Sequence, residues 1–269
     1  MTKLILSGCN GYMGRVVTAA VKADPAICII AGIDVNTEKL ADYPVFASPD
    51  DLVKGRSPAK GSDPAGEGSD PAINADALVD FSNPSALDGL LGYGLSNNVP
   101  LVLCATGYTP QQISALEKAS EQIPVFRSGN MSVGINLLID LIKRASAALG
   151  GDFDVEIVER HHRRKVDAPS GTAIMLADAA GSAMPTKPEY IFERESTRAP
   201  RGANEIGISA VRGGTIVGVH DIIFAGQDEV LELRHTAASR DVFAVGAIRA
   251  AKYIAGKAPG LYNMGDVLS

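Results

Sequence analysis

Aromatic residues are scarce in this chain: Phe and Tyr number seven each, Trp is absent, and together they make up 5% of 269 residues. Surfaces that stack nucleic-acid bases need aromatic platforms on a basic background. Here the background is acidic, with a formal net charge of −6 and a sequence pI near 5.3, so no nucleic-acid partner is expected. Cysteine is also rare. Cys9, Cys28 and Cys104 are scattered and odd in number, which suits free thiols in a reducing compartment rather than a disulfide framework. No apolar run approaches a membrane span. Leu4-Ile5-Leu6 is too short for the apolar region of a signal peptide, and Gly8 follows almost at once. A cytoplasmic protein without a membrane partner is expected.

What the chain does have is enough apolar residue, 46%, for real cores, and a length that allows one large domain or two ordinary ones. Short apolar runs at Lys3 to Ser7, Ile27 to Ile33, Ala77 to Phe81, Pro100 to Cys104 and Pro124 to Phe126 read as strands. Helical patterns at Gly11 to Lys22, Ser85 to Leu95 and Pro110 to Gln122 alternate with them, which predicts an α/β, Rossmann-like doubly wound parallel sheet. The first helix should turn Val16, Val17, Ala20 and Val21 inward. The pattern changes near Ser132. A long helix is predicted over Ile135 to Leu149, with Leu137, Leu138, Leu141 and Ile142 inward. Strand-like runs follow at Asp154 to Glu159, Ile206 to Val211, Thr215 to Phe224 and Glu229 to Thr236, with one helix starting near Ser170. They predict an α+β domain on an open mixed or antiparallel sheet. Arg240 to Gly256 closes as an amphipathic helix. Lys54 to Ala75 stands outside this rhythm: it is rich in Gly, Pro, Ser and Asp, repeats Gly-Ser-Asp-Pro-Ala, and is expected to be a mobile surface insertion.

Gly8-Cys9-Asn10-Gly11-Tyr12-Met13-Gly14 joins the first strand to the first helix, and Asp34 ends the next strand about twenty residues on. Glycines there permit a tight turn and close backbone approach to a pyrophosphate, and the acid can bind a ribose 2′-hydroxyl, so dinucleotide binding is predicted. Asp34 would repel a 2′-phosphate, and Val35 follows it rather than an arginine. NADH is therefore the expected preference, with NADPH usable because Arg15 and Lys39 lie near in sequence. Cys104-Ala105-Thr106 and Ser128-Gly129-Asn130-Met131 follow later strands, where loops line a cofactor crevice. Cys104 has two readings, a small buried thiol or the nucleophile of a semialdehyde dehydrogenase.

The most informative stretch runs from Val155 to Ala173. Six consecutive residues, Arg160 to Lys165, are basic or imidazole, and Pro-Ser-Gly-Thr then opens an Ala-rich helix. A positive field beside a helix N-terminus attracts anions, and histidine is readily tuned for proton transfer near neutral pH. A zinc site would need ligands that only His220 and His235 remain to supply, in no recognisable motif, so no metal is expected. A surface basic patch is the bland alternative. A non-catalytic dinucleotide sensor is another, although a sensor has no reason to carry His161, Lys165 and Thr172 together.

At this point the chain resembles the dihydrodipicolinate reductases, also called 4-hydroxy-tetrahydrodipicolinate reductases, of lysine and diaminopimelate biosynthesis. The stretch from Glu156 to Ala173 is similar to their E-x-x-E-x-H-H-x-x-K-x-D-A-P-S-G-T-A signature, and the glycine loop, Ala105-Thr106-Gly107, the run from Asn130 to Asn136, Val211-Arg212-Gly213-Gly214 and the helix from Ser239 extend the likeness. The resemblance implies a dinucleotide-binding domain over residues 1–131, a substrate-binding and tetramerisation domain over 132–239, and a segment, 240–269, that returns to the first. It implies hydride transfer from NAD(P)H to C4 of a cyclic dicarboxylate in a homotetramer. His161 would donate the proton, Lys165 would bind and polarise the substrate, and His162 with Ser170, Gly171 and Thr172 would hold its carboxylates. Cys104 and Ala105 depart from the glycine and threonine frequent in relatives, which alters the nicotinamide pocket slightly.

Overall fold

The computed structural model describes residues 1–55, 74–184 and 186–269. They form two compact units, one of residues 1–131 with 241–269 and one of residues 132–240. The expected insertion lies mostly outside the described residues. Ala75, counted within it, is a buried core residue.

In the first unit the chain runs β1 (Thr2–Ser7), α1 (Tyr12–Lys22), β2 (Ile27–Ile33), β3 (Val45–Phe46), α2 (Pro49–Val53), β4 (Ala77–Asp80), α3 (Leu87–Asn97), β5 (Leu101–Leu103), α4 (Pro110–Ser120) and β6 (Pro124–Arg127). Leu4, Ile5 and Leu6 are wholly buried, as a strand covered on both faces requires. Val17 and Val21, four apart, give α1 its inward stripe, while Val16 and Ala20 are only half-buried. Helix α4 starts sharply because Pro110 sits in its first turn and Thr109 and Gln112 form a reciprocal capping box. The helix expected from Ser85 begins as α3 at Leu87, after a single 3₁₀ turn capped by Asn83.

The second unit contains α5 (Val133–Leu149), β7 (Asp154–His161), α6 (Gly171–Gly181), β8 (Glu189–Ile191), β9 (Glu205–Arg212), β10 (Gly218–Ala225) and β11 (Val230–Ala237). Its sheet has the order β11-β10-β7-β9-β8, antiparallel on the β10 side and parallel on the β9 side. Helices α5 and α6 pack on one face through Leu138, Ile142, Ala173, Leu176 and Ala177 against Val155, Ile157, Ile208 and Phe224. Two expected core leucines are corrected. Leu137 and Leu141 are 49% and 42% exposed. The inward stripe of α5 is Ile135, Leu138, Ile142 and Ser146, and the other two leucines lie one position off it.

After β11 come α7 (Asp241–Ile254), β12 (Gly260–Tyr262) and α8 (Met264–Leu268), which belong to the first unit. β12 adds to β6, so the parallel sheet reads β12-β6-β5-β4-β1-β2-β3. The chain thus moves outward from β1 to β2 and β3, then returns to β4 on the other side of β1. That reversal opens a crevice at the carboxyl ends of β1 and β4.

Helix α7 is seated by a close backbone approach. A Cβ at Gly246 would lie 1.7 Å from the Met131 carbonyl oxygen. Gly to Ala within a helix ordinarily stabilises by about 1 kcal/mol. Here the sign should reverse: Gly246→Ala is expected to lower stability by about 1–3 kcal/mol, the usual cost of overpacking, read as an earlier urea midpoint.

Candidate active site

The first unit gathers one set of residues at the carboxyl ends of β1, β2, β4, β5 and β6. Gly8 leaves β1 with φ of 73°, and a Cβ there would meet the Phe81 carbonyl at 2.8 Å; one at Gly14 would meet the Gly8 oxygen at 2.1 Å. The loop is therefore as tight as a pyrophosphate cradle requires. Gly11 caps α1 without a side-chain acceptor. Asp34 follows β2 and accepts the Asn10 backbone N–H through Oδ2 (2.9 Å) and the Asn36 N–H through Oδ1 (3.0 Å). The Asn10 amide donates to the Asn36 and Glu38 carbonyls, so the glycine loop and the loop after β2 are tied together. Tyr12 is exposed and Met13 half-buried at the start of α1. Cys104 and Ala105 are half-buried and Thr106 exposed after β5. Ser128, Gly129 and Asn130 follow β6, and the Ser128 hydroxyl donates to the Asn130 carbonyl. Met131 is buried, with its carbonyl against α7.

Cys9 is a core residue, its thiol packed under Gly32 and pushed up to about 12 by burial and by Asp34. Burial, with the Asp80 charge, likewise raises the Cys104 thiol well above the ordinary value. A nucleophilic cysteine needs the opposite environment, so the semialdehyde-dehydrogenase alternative loses its nucleophile. Sequence reasoning missed the turn Phe81-Ser82 at the crevice. Its signal was Asp80, a wholly buried acid whose Oδ1 accepts the Ser82 N–H and hydroxyl.

The second unit holds the other set. Glu159 and His161 are two apart on β7, hence on one face of the sheet. Glu159 is fully buried, and its Oε2 lies 2.6 Å from His161 Nδ1. Arg212, paired with His161 in the β7–β9 register, donates to both Glu159 oxygens at 2.7 Å and to the Asp167 carbonyl at 2.6 Å. The Ser170 N–H donates to Oε1 at 3.0 Å. Burial alone would raise the Glu159 carboxyl. Arg212, His161 and the Ser170 N–H outweigh it and hold the group below its usual range. An ionised Glu159 keeps the proton on Nδ1 of His161 and leaves Nε2 as its reactive nitrogen. Nε2 faces Gly218, where a Cβ would come within 3.2 Å. Burial lowers the His161 pKa, and Glu159 opposes that only in part.

The basic run does not act as one patch. Strand alternation sends Arg160 to the opposite face, where it meets Asp221 at 2.5 Å with Arg234 on the same carboxylate. Arg163 and Arg164 are exposed, and Lys165 lies 2.8 Å from both Asp167 oxygens. His162 is half-buried, and its Nδ1 has no hydrogen-bond partner among the described residues. The Ser170 hydroxyl caps α6 by accepting the Ala173 N–H, and Gly171 and Thr172 form the first turn. Glu159 and Arg212 were given no role of their own from sequence, and His220 was weighed only as a zinc ligand. The i, i+2 spacing of Glu159 and His161 on a strand was the available signal.

Among the described residues no three His, Cys, Asp or Glu side chains are grouped to hold a metal ion, and no helix is long and apolar enough to cross a membrane. Family models described as the N-terminus and the C-terminus of dihydrodipicolinate reductase match residues 2–131 and 134–268. The chain is 44% identical over 269 residues to the 4-hydroxy-tetrahydrodipicolinate reductase of Clostridium novyi (strain NT), covering 100% of this chain and 98% of the relative. It is 46% identical over 268 residues, with the same coverage, to that of Caldanaerobacter subterraneus subsp. tengcongensis. Among solved structures, a dipicolinate-bound dihydrodipicolinate reductase from Paenisporosarcina sp. TG-14 has the same fold, with a TM-score of 0.76 at 24% identity over 98% of this chain and 97% of that one.

His220 on β10 is 4% exposed, and burial drives its pKa down to about 4. The unfolded chain binds this proton near pH 6.5 and the folded chain does not, so stability is complete above about 6.5 and is lost as pH falls toward 4. The loss should approach about 3 kcal/mol, measured as a falling urea midpoint across that window. His220→Gln should remove a corresponding share of the slope.

Proposed function

The chain belongs to the dihydrodipicolinate reductase family of NAD(P)H-dependent oxidoreductases, and on that premise we propose that it reduces 4-hydroxy-tetrahydrodipicolinate, by way of dihydrodipicolinate, to tetrahydrodipicolinate in lysine and diaminopimelate biosynthesis, with His161 as the proton donor. The observation that carries this is the buried Glu159–His161 pair, with its free Nε2, beside the start of α6.

The glycine loop from Gly8 to Met13 and Asp34 would hold the pyrophosphate and adenosine ribose. Residues Cys104 to Thr106 and Ser128 to Met131 would border the nicotinamide. When bound, the dinucleotide supplies the hydride that reaches C4. Every other task falls to this chain's own side chains. Lys165 exchanges Asp167 for a substrate carboxylate. His162 turns its unpartnered Nδ1 to the same anion, and the Ser170-Gly171-Thr172 turn receives the second carboxylate at the helix N-terminus. The lowered pKa keeps resting His161 neutral near pH 7. A dianion beside it favours the imidazolium, so the substrate's own charge loads the acid it needs.

The chain is further proposed to act as a cytoplasmic homotetramer. Helices cover one face of the second sheet, and Val158 and Ile223, both half-buried, lie on the other. Beside them lie the Arg160, Asp221 and Arg234 ion pairs, and this mixed apolar and ionic face is the one we assign to self-association.

His161→Gln is expected to lower kcat by about 10²–10⁴-fold with KM little changed; near wild-type turnover of freshly generated pyruvate–aspartate semialdehyde condensation product would remove His161 from the mechanism. In the wild type, kcat/KM should fall as pH rises through a value below 6.5, and the corresponding limb of kcat should lie higher, because the bound dianion raises the acid.

Cofactor preference tests Asp34 separately. A 2′-phosphate against this carboxylate costs on the order of 1–4 kcal/mol, and Arg15 and Lys39 offset part of it, so NADH should be preferred modestly. Asp34→Ser should erase the preference. Because Asp34 also holds the Asn10 N–H, KM for NADH should rise while that for NADPH falls. A wild-type preference for NADPH from about 50 to 200 mM salt would assign control to Arg15 or Lys39 instead.

A further inference from the structure

His220 lies directly opposite Glu159 in the β10–β7 register, and four groups there close a circuit. Glu159 Oε2 accepts from His161 Nδ1 at 2.6 Å. The His161 ring packs edge-on against His220, with centroids 5.2 Å apart and planes at 74°. His220 Nε2 lies 3.2 Å from the Ser170 hydroxyl. The Ser170 N–H returns to Glu159 Oε1 at 3.0 Å. The Ser170 oxygen already accepts the Ala173 N–H, so its hydroxyl proton is available to His220 Nε2. Either atom can donate in that contact, and in both tautomers His220 Nδ1 is buried without a hydrogen-bond partner among the described residues. A buried polar atom left unpaired opposes folding. Packing alone would favour an apolar side chain of similar volume at this place.

We propose that His220 is a positioning residue for proton transfer, fixing both the plane of the His161 ring and the serine that caps the substrate-binding turn. The proposal rests on His161 being the proton donor. His220 itself touches neither substrate nor cofactor. It acts through its two neighbours. Its ring blocks rotation of His161 about an axis that Glu159 alone leaves open, and its Nε2 holds the Ser170 hydroxyl at the start of α6. Being neutral across the working range, it adds no positive charge against the imidazolium that His161 must become.

Three variants of the full chain separate positioning from packing. The Gln amide in His220→Gln reaches the place of Nε2. The Asn amide in His220→Asn reaches only that of Nδ1. His220→Leu fills the volume with neither. His220→Gln should keep kcat within about 3-fold of wild type, while the Asn and Leu variants should lose about 10–100-fold, the scale of a misplacement near 1 Å. KM for NADH should not move in any of them. The His161 side-chain nitrogen resonances should report a single Nδ1–H form in wild type and the Gln variant, and exchange between forms in the other two. Losses that follow melting temperature equally in all three variants would reduce His220 to packing and overturn the proposal. So would a wild-type kcat in His220→Leu alongside an inactive His161→Gln, which leaves the acid in place. An active His161→Gln would overturn the acid and, with it, the role given to His220. If the Leu variant does not fold, the Gln–Asn comparison decides.

Discussion

Glu159 has no contact with solvent, yet it is ionised, because donors from three separate parts of the second unit converge on its two oxygens. Arg212 comes from the neighbouring strand, His161 from the same strand, and the Ser170 N–H from the entry to α6. A buried charge survives only with such compensation. The carboxylate therefore does more than stabilise. It sets the register of the loop between His162 and Pro169, which Arg212 also grips at the Asp167 carbonyl. It chooses the tautomer of His161, and it fixes where α6 begins. Loss of any one donor leaves the charge under-compensated, so strand pairing, helix start and proton affinity are linked in one local equilibrium.

The first unit depends on a different constraint, close backbone approach. Its crevice is shaped by Gly8 against Phe81 and by Asp34 against Asn10. Asp34 has two duties there. In the proposed reading it offers a carboxylate to a ribose, and in the structure it ties the glycine loop to the end of β2. The proposed cofactor selectivity and the rigidity of the loop thus fall on one side chain. A change made to alter the first disturbs the second.

Much of this was legible in the residue order. Apolar runs and the glycine trio located β1, α1 and β2, because fully buried strands and tight turns leave local signatures. The paired histidines and Pro-Ser-Gly-Thr marked the end of β7 and the start of α6 for the same reason. What escaped depended on partners distant in sequence. Arg160 belongs to the basic run by position, but the pleat turns it away toward Asp221, sixty-one residues on. Leu137 and Leu141 fit a helical stripe, but α5 presents the adjacent stripe to the sheet. Glu159 stood two residues before a recognised histidine, and only the β7–β9 pairing shows that Arg212 completes it. The short strands β8 and β12 are half-exposed and carry no continuous apolar run of the kind that marks the equally short, fully buried β5, and β3 is only two residues long.

Gly218 carries an evolutionary consequence. Gly218 is the first residue of β10, where a β-branched residue would ordinarily strengthen the strand. Yet the missing side chain is what leaves His161 Nε2 approachable. If His161 is the proton donor proposed above, selection for stability and selection for turnover pull in opposite directions at this one position. A laboratory search for thermostable variants would drift toward valine there and enrich folded, silent enzymes, unless turnover were screened alongside.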